Sequence, residues 1–236
     1  MESLNSHYIF IMVLYPVVKN RFLLFKKKII RSDCYFAANP FLSRISVPVN
    51  IMISDFRADL MAGKTIVITG GATGIGFGIA TQFGLHGANV VVGSRRGTVV
   101  EEACKKLSAM GIKCAGTTCD VRSKESCDAL ANYAVETFNH IDVLVNNAAG
   151  NFMSSAEAIT ENGFRTVIDI DLQGSFNMSK ACLPYLKQSG KGVIINITAT
   201  LHYKSHPFQM HAAAAKAGID VMTETLGVVS SFQPFC

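Results

Sequence analysis

A chain of 236 residues, 49% apolar and 17% charged, is long enough to bury a sizeable core and too apolar to be disordered throughout. The net charge of +5 arises within residues 1–50, where seven bases (Lys19, Arg21, Lys26, Lys27, Lys28, Arg31 and Arg44) meet two acids, Glu2 and Asp33; the remainder is balanced, which argues against a nucleic-acid face. Seven dispersed cysteines, with no C-x-x-C pair and no His/Cys cluster, fit free thiols better than a disulfide framework, and no metal site is expected.

Residues 1–60 read as a basic, partly apolar appendage to a domain spanning 61–236. Tyr8–Val18 is an apolar run broken by Pro16, shorter than the roughly 20 residues of a membrane-spanning helix. A membrane-surface anchor, a targeting peptide and a leader without a role all fit it.

From Lys64 onward, strands alternate with helices. Thr65–Thr69 is a β-branched apolar run followed at once by Gly70, Gly71, Gly74 and Gly76. Helical spacing over Ile75–His86 leads to a strand at Asn89–Val92 and an amphipathic helix at Gly97–Met110. A strand at Lys113–Cys119, a helix at Ser123–Phe138 and a strand at Ile141–Val145 follow. Glu161–Ser189 reads as one long helix, Gly192–Thr198 as a strand and Pro207–Val229 as a last, alanine-rich helix. Strand–helix–strand units of this kind imply right-handed crossovers and a doubly wound parallel α/β sheet of Rossmann type.

The glycine cluster Thr69-Gly70-Gly71-Ala72-Thr73-Gly74-Ile75-Gly76 lies between a strand and a helix. There Gly70 and Gly74 permit a tight turn, Gly76 lets the helix pack closely, and the helix N-terminus offers N–H donors to a pyrophosphate. The next strand ends in Gly93-Ser94-Arg95-Arg96, with no acid before Glu101. A carboxylate there would grip a free ribose, whereas arginine pairs with a 2′-phosphate, so NADP(H) is the expected cofactor.

These motifs, with Cys119-Asp120-Val121 and Asn146-Asn147-Ala148-Ala149-Gly150 at matching intervals, resemble the short-chain dehydrogenase/reductases. The resemblance covers about residues 60–230. It implies a cofactor site formed by Gly70, Thr73, Gly74, Ile75, Gly76, Arg95, Asp120, Asn147, Ala148, Ala149, Thr198 and Lys216, with Asp120 against the adenine. The family's usual Tyr-x-x-x-Lys pair is incomplete: Lys216 is present, but Ala212 stands where the tyrosine belongs, and Asp171 occupies the position of a helix asparagine.

Three stretches (148–152, 164–171 and 196–203) resemble the peroxisomal-type 2,4-dienoyl-CoA reductases, a branch that lacks the tyrosine and keeps the lysine and aspartate. The resemblance implies NADPH-dependent reduction of a 2,4-dienoyl-CoA to a 3-enoyl-CoA, with Asp171 and Lys216 catalytic. Arg95, Arg122 and Phe152 would meet the acyl-CoA. Phe164, Val167, Ile168, Asp171 and Ser175 share one helical stripe, so Asp171 should point inward. Tyr203 is an alternative proton donor, and His202, His206 and His211 read as loop histidines.

The chain reads as C-terminally truncated relative to this family. It stops at Cys236 before the strand that would cover the nicotinamide and without a peroxisomal Ser-Lys-Leu-type ending. The strand at 192–198 should then be a bare sheet edge, and the family's homo-oligomer is put in doubt. A peroxisomal location follows from the resemblance, a cytoplasmic one from the missing signal. The rival readings are an ordinary carbonyl or enoyl reductase and a non-catalytic nucleotide-binding protein.

Overall fold

The computed structural model describes residues 56–199, 201 and 207–231, with side chains as far as 227, and the backbone of a strand at 9–16. The elements are β1 (Ile9–Pro16), β2 (Thr65–Thr69), α1 (Gly74–Leu85), β3 (Asn89–Ser94), α2 (Gly97–Ala109), β4 (Cys114–Thr118) and α3 (Lys124–Phe138). They continue as β5 (Val143–Asn146), α4 (Glu161–Ile168), a π-helical turn (Asp169–Gln173), α5 (Gly174–Gln188), β6 (Val193–Ala199) and α6 (Met210–Ser231).

The sheet order is β1-β6-β5-β2-β3-β4. β2 pairs in parallel with β3 (Ile66 opposite Val90) and with β5 (Ile66 opposite Val143), and β6 and β4 extend the parallel array on either side. β2 is buried at every position, as expected of a central strand covered on both faces. Alternate strand residues feed two cores. Ile66, Ile68, Val90 and Val92 pack with Leu107 and Ile112 on one side. Val67, Val91 and Leu144 pack with Leu130, Met178 and Leu186 on the other.

Three departures from the sequence reading matter. The long helix expected over 161–189 is interrupted by the π turn at Asp169–Gln173, one extra residue in the turn that re-aims its side chains. The last helix starts at Met210 rather than 207. The outer edge of β6 is not bare: β1 lies antiparallel along it, Ile9 opposite Ala199 and Pro16 opposite Val193. Pro16 falls at the end of an edge strand, where a missing N–H is tolerated. No described helix is long and apolar enough to cross a membrane.

The start of β5 is tied to the start of β2 by Asp142. Its buried carboxylate accepts from Lys64 Nζ at 2.8 Å and from Thr65 N at 3.0 Å, with His140 Nε2 at 3.1 Å. Asp142→Ala is expected to cost about 2 kcal/mol, measured as a lowered urea midpoint. The cost stays below that of breaking a fully buried pair because the Lys64 side chain is 40% exposed.

Candidate active site

A cleft of about 590 Å³ opens at the carboxyl ends of the parallel strands, where ligands of open α/β sheets bind. Its walls come from four successive strand ends: Gly70, Thr73 and Ile75 after β2; Ser94, Arg95 and Arg96 after β3; Cys119, Asp120 and Val121 after β4; and Asn147, Ala148 and Ala149 after β5. Ile170 of the π turn closes one side.

The glycine turn has the shape its spacing implied. Gly70 (φ +63°) and Gly74 (φ +54°) are left-handed, a conformation that side chains disfavour. A Cβ on Gly76 would lie 2.3 Å from the Gly70 carbonyl oxygen and 2.5 Å from Asn147 Nδ2. Thr73, the N-cap of α1, is extended, and its side chain makes no capping bond, so the first N–H groups of the helix remain available to an anion. These uncapped donors, and a cradle that a methyl group would fill, fit a dinucleotide pyrophosphate.

Thr69 and Asn147 lock the turn to the end of β5. Thr69 Oγ1 accepts from Asn147 N at 3.0 Å and Ala148 N at 3.1 Å, while Asn147 Nδ2 donates to Thr69 O at 3.1 Å and Gly70 O at 3.2 Å. Asp120 is held by Arg122, whose Nε donates at 2.9 Å and whose guanidinium pairs with its second oxygen. That hydrogen bond holds the Asp120 carboxyl below its ordinary 3.8 and raises Arg122 in turn. Arg122 does not line the cleft.

Asp171 and Lys216 meet as expected. The Asp171 side chain is 2% exposed and that of Lys216 12%, with Oδ2 and Nζ 3.3 Å apart. Asp171 Oδ1 accepts from Gly150 N at 2.7 Å, and Lys216 Nζ also donates to Ile197 O at 3.0 Å. Burial pushes the Asp171 carboxyl above its ordinary 3.8, opposed by Lys216, the Gly150 N–H and His211. Thr198 is buried on β6, and its Oγ1 lies 3.5 Å from Lys216 O. Ala212, at the usual tyrosine position, is buried one helical turn before Lys216 on α6.

His211 differs from its expected loop placement. It is the second residue of α6 and is fully buried, with Phe152 tilted over its ring at a centroid distance of 4.4 Å. Tyr203, His202 and His206 lie outside the described residues. The sequence reading also missed a buried network behind the site. In it Asn146 Nδ2 reaches Asn196 Oδ1 at 2.8 Å and Ser179 Oγ at 3.0 Å, and Asn196 Nδ2 donates to Thr223 Oγ1 at 2.7 Å. Among the described residues no group of three His, Cys, Asp or Glu side chains could hold a metal ion.

Known proteins resemble this chain in sequence and fold. The short chain dehydrogenase family model matches residues 64–229. The peroxisomal 2,4-dienoyl-CoA reductase [(3E)-enoyl-CoA-producing] of Arabidopsis thaliana is 45% identical over 185 residues, covering 75% of this chain and 62% of the relative. The rat protein of the same name is 45% identical over 174 residues, covering 73% of this chain and 60% of that one. This chain thus spans about three fifths of the length of these relatives. A crystal structure of a short chain dehydrogenase from Bacillus anthracis superposes with a TM-score of 0.67 at 40% identity, over 71% of this chain and 70% of the other. The parallel sheet, the glycine turn and these matches agree: the chain belongs to the short-chain dehydrogenase family, whose fold holds a nicotinamide cofactor.

Proposed function

We propose that this chain is an NADPH-dependent reductase that converts a 2,4-dienoyl-CoA to a 3-enoyl-CoA. The observation that carries this reading is the buried Asp171–Lys216 pair standing at 3.3 Å next to Ala212, where a carbonyl-reducing member would use a tyrosine. The dienolate formed from a conjugated thioester is less basic than an alkoxide, so a phenol is not needed to quench it; a positioned water suffices. The names of the similar plant and animal proteins support the same chemistry, and by the same token we assign the chain to the peroxisome.

When bound, NADPH supplies a hydride and its electron pair to the far end of the diene, C5. Asp171, fixed by the Gly150 N–H and Lys216, holds the water that gives a proton to C2, and the hydroxide left behind takes a proton from solvent. Lys216 balances the charge of Asp171 at 3.3 Å and would hold the ribose of the bound cofactor. The product keeps one double bond, between C3 and C4, so one hydride, which carries both electrons, and one proton are accounted for. Phe152, 42% exposed, offers an apolar face to the acyl chain. Arg95 and Arg122 flank Asp120 and supply positive charge to the cofactor or CoA phosphates.

The basic end of β3 sets cofactor choice. Arg95→Ala is expected to weaken NADPH about tenfold or more while leaving NADH nearly unchanged, because a charge-assisted bond to the 2′-phosphate is worth about 1.5–3 kcal/mol. Fluorescence titration with both cofactors checks it. The reaction itself is tested by following NADPH oxidation by the full chain with 2,4-hexadienoyl-CoA and with a panel of ketones. Turnover of the dienoyl thioester alone supports the reading; turnover of ketones alone contradicts it.

A further inference from the structure

His211 is fully buried, yet among the described residues neither Nδ1 nor Nε2 meets a hydrogen-bond partner. A neutral imidazole presents one N–H and one lone pair in either tautomer, and leaving both bare inside a protein costs stability unless a ligand completes them. The polar groups around it are otherwise engaged. Asp171 accepts from Gly150 at 2.7 Å and faces Lys216 at 3.3 Å, and Lys216 also donates to Ile197 O. A positive charge on His211 would act on Asp171, which puts the imidazole in the same part of the site as the Asp171–Lys216 pair.

The other neighbour is apolar. Phe152 lies over the imidazole with ring centroids 4.4 Å apart, and it is the residue placed against the acyl chain. Phe152 is 42% exposed, so an acyl chain lying against it would reach the imidazole once this one ring moves aside. Water is excluded there, so a hydrogen bond to a charged oxygen has no solvent competitor.

Building on the dienoyl-CoA reading, we propose that His211 is a catalytic residue, its N–H donating to the thioester oxygen of the bound substrate. Negative charge collects on that oxygen when C5 is reduced and leaves when C2 is protonated. The donor strengthens its bond only while the charge is present, so it accelerates the reaction rather than merely tightening binding. Asp171 and Lys216 then serve the proton, and His211 serves the oxygen.

The test compares the full chain with His211→Leu and His211→Gln. NADPH affinity by fluorescence reports folding and the cofactor site. Turnover of 2,4-hexadienoyl-CoA reports catalysis, and the enolate absorbance of acetoacetyl-CoA bound with NADP⁺ reports stabilisation of a charged thioester oxygen. His211→Leu is expected to bind NADPH normally, lose about 100-fold in kcat with little change in KM, and lose the enolate signal; His211→Gln, which keeps an N–H, restores part of both. A leucine variant that binds NADPH and keeps full kcat and enolate signal overturns the proposal. If the wild-type chain binds NADPH but does not turn over the dienoyl thioester, the reaction reading falls. The enolate signal alone then decides His211: loss in the leucine variant supports its role, and persistence refutes it. Should the leucine variant fail to bind NADPH, a folded glutamine variant whose enolate signal is absent refutes it equally.

Discussion

Lys216→Ala is expected to lower the rate of NADPH oxidation on a 2,4-dienoyl-CoA by a factor of about 10³ and to destabilise the fold by about 3 kcal/mol. Both effects come from one geometry. The lysine is the cation facing a carboxylate whose side chain is 2% exposed; removing it leaves Asp171 with the Gly150 N–H as its hydrogen-bond donor. Burial is the largest cause acting on that carboxyl and Lys216 the largest opposing one, so the variant's Asp171 should hold its proton to still higher pH. A native carboxyl with a raised pKa binds more protons than the unfolded chain above the ordinary 3.8, so stability falls as pH rises through that window. The deficit of Lys216→Ala should therefore be smaller at roughly pH 5 than at roughly pH 8, as urea denaturation at the two values would show. Asp171→Asn keeps the volume and removes the charge. It should lose about 10²-fold in turnover and about 2 kcal/mol of stability at neutral pH, because the Lys216 ammonium, 12% exposed, loses its counter-charge.

The second large effect is at the nucleotide turn. Gly76→Ala places a methyl carbon 2.3 Å from the Gly70 carbonyl oxygen and 2.5 Å from Asn147 Nδ2, and neither atom can give way. Gly70 N is bonded to Gly93 O at 2.7 Å, and the Asn147 amide is committed to Thr69 O and Gly70 O. The whole turn has to shift, at a cost of about 3 kcal/mol, and the N–H groups that would receive the pyrophosphate move with it. NADPH affinity should fall by about 10²-fold or more. Gly78, two residues along the same helix, has open space where its Cβ would go. Gly78→Ala should instead raise the melting temperature slightly, by up to about 1 kcal/mol of stability. Calorimetry of the two variants side by side separates a packing clash from any general intolerance of α1 to alanine.

The parts of this site that the sequence revealed are those written in local spacing. The glycine turn, the basic end of β3 and the Asn146-Asn147-Ala148-Ala149-Gly150 stretch each act through residues within a few positions of one another, so pattern and geometry coincide. Asp171 was legible for a related reason: its inward placement follows from an apolar stripe, and the structure buries it. The π turn left no such trace, because the residues around Asp169–Gln173 satisfy an ordinary helical pattern. His211 was lost because its environment is made by Phe152, far away in the chain. The pairing of β1 with β6 is also nonlocal; an apolar run of that length does not say which sheet edge it will meet.

The carbons that are reduced distinguish dienoyl-CoA reduction from its rivals. The most direct test is to incubate the full chain with 2,4-hexadienoyl-CoA and NADPH carrying deuterium at the transferred position, then locate the label by NMR. The account predicts deuterium at C5 of a 3-enoyl-CoA, with the solvent proton at C2. Deuterium at C3, or recovery of the diene beside a reduced ketone control, would contradict it.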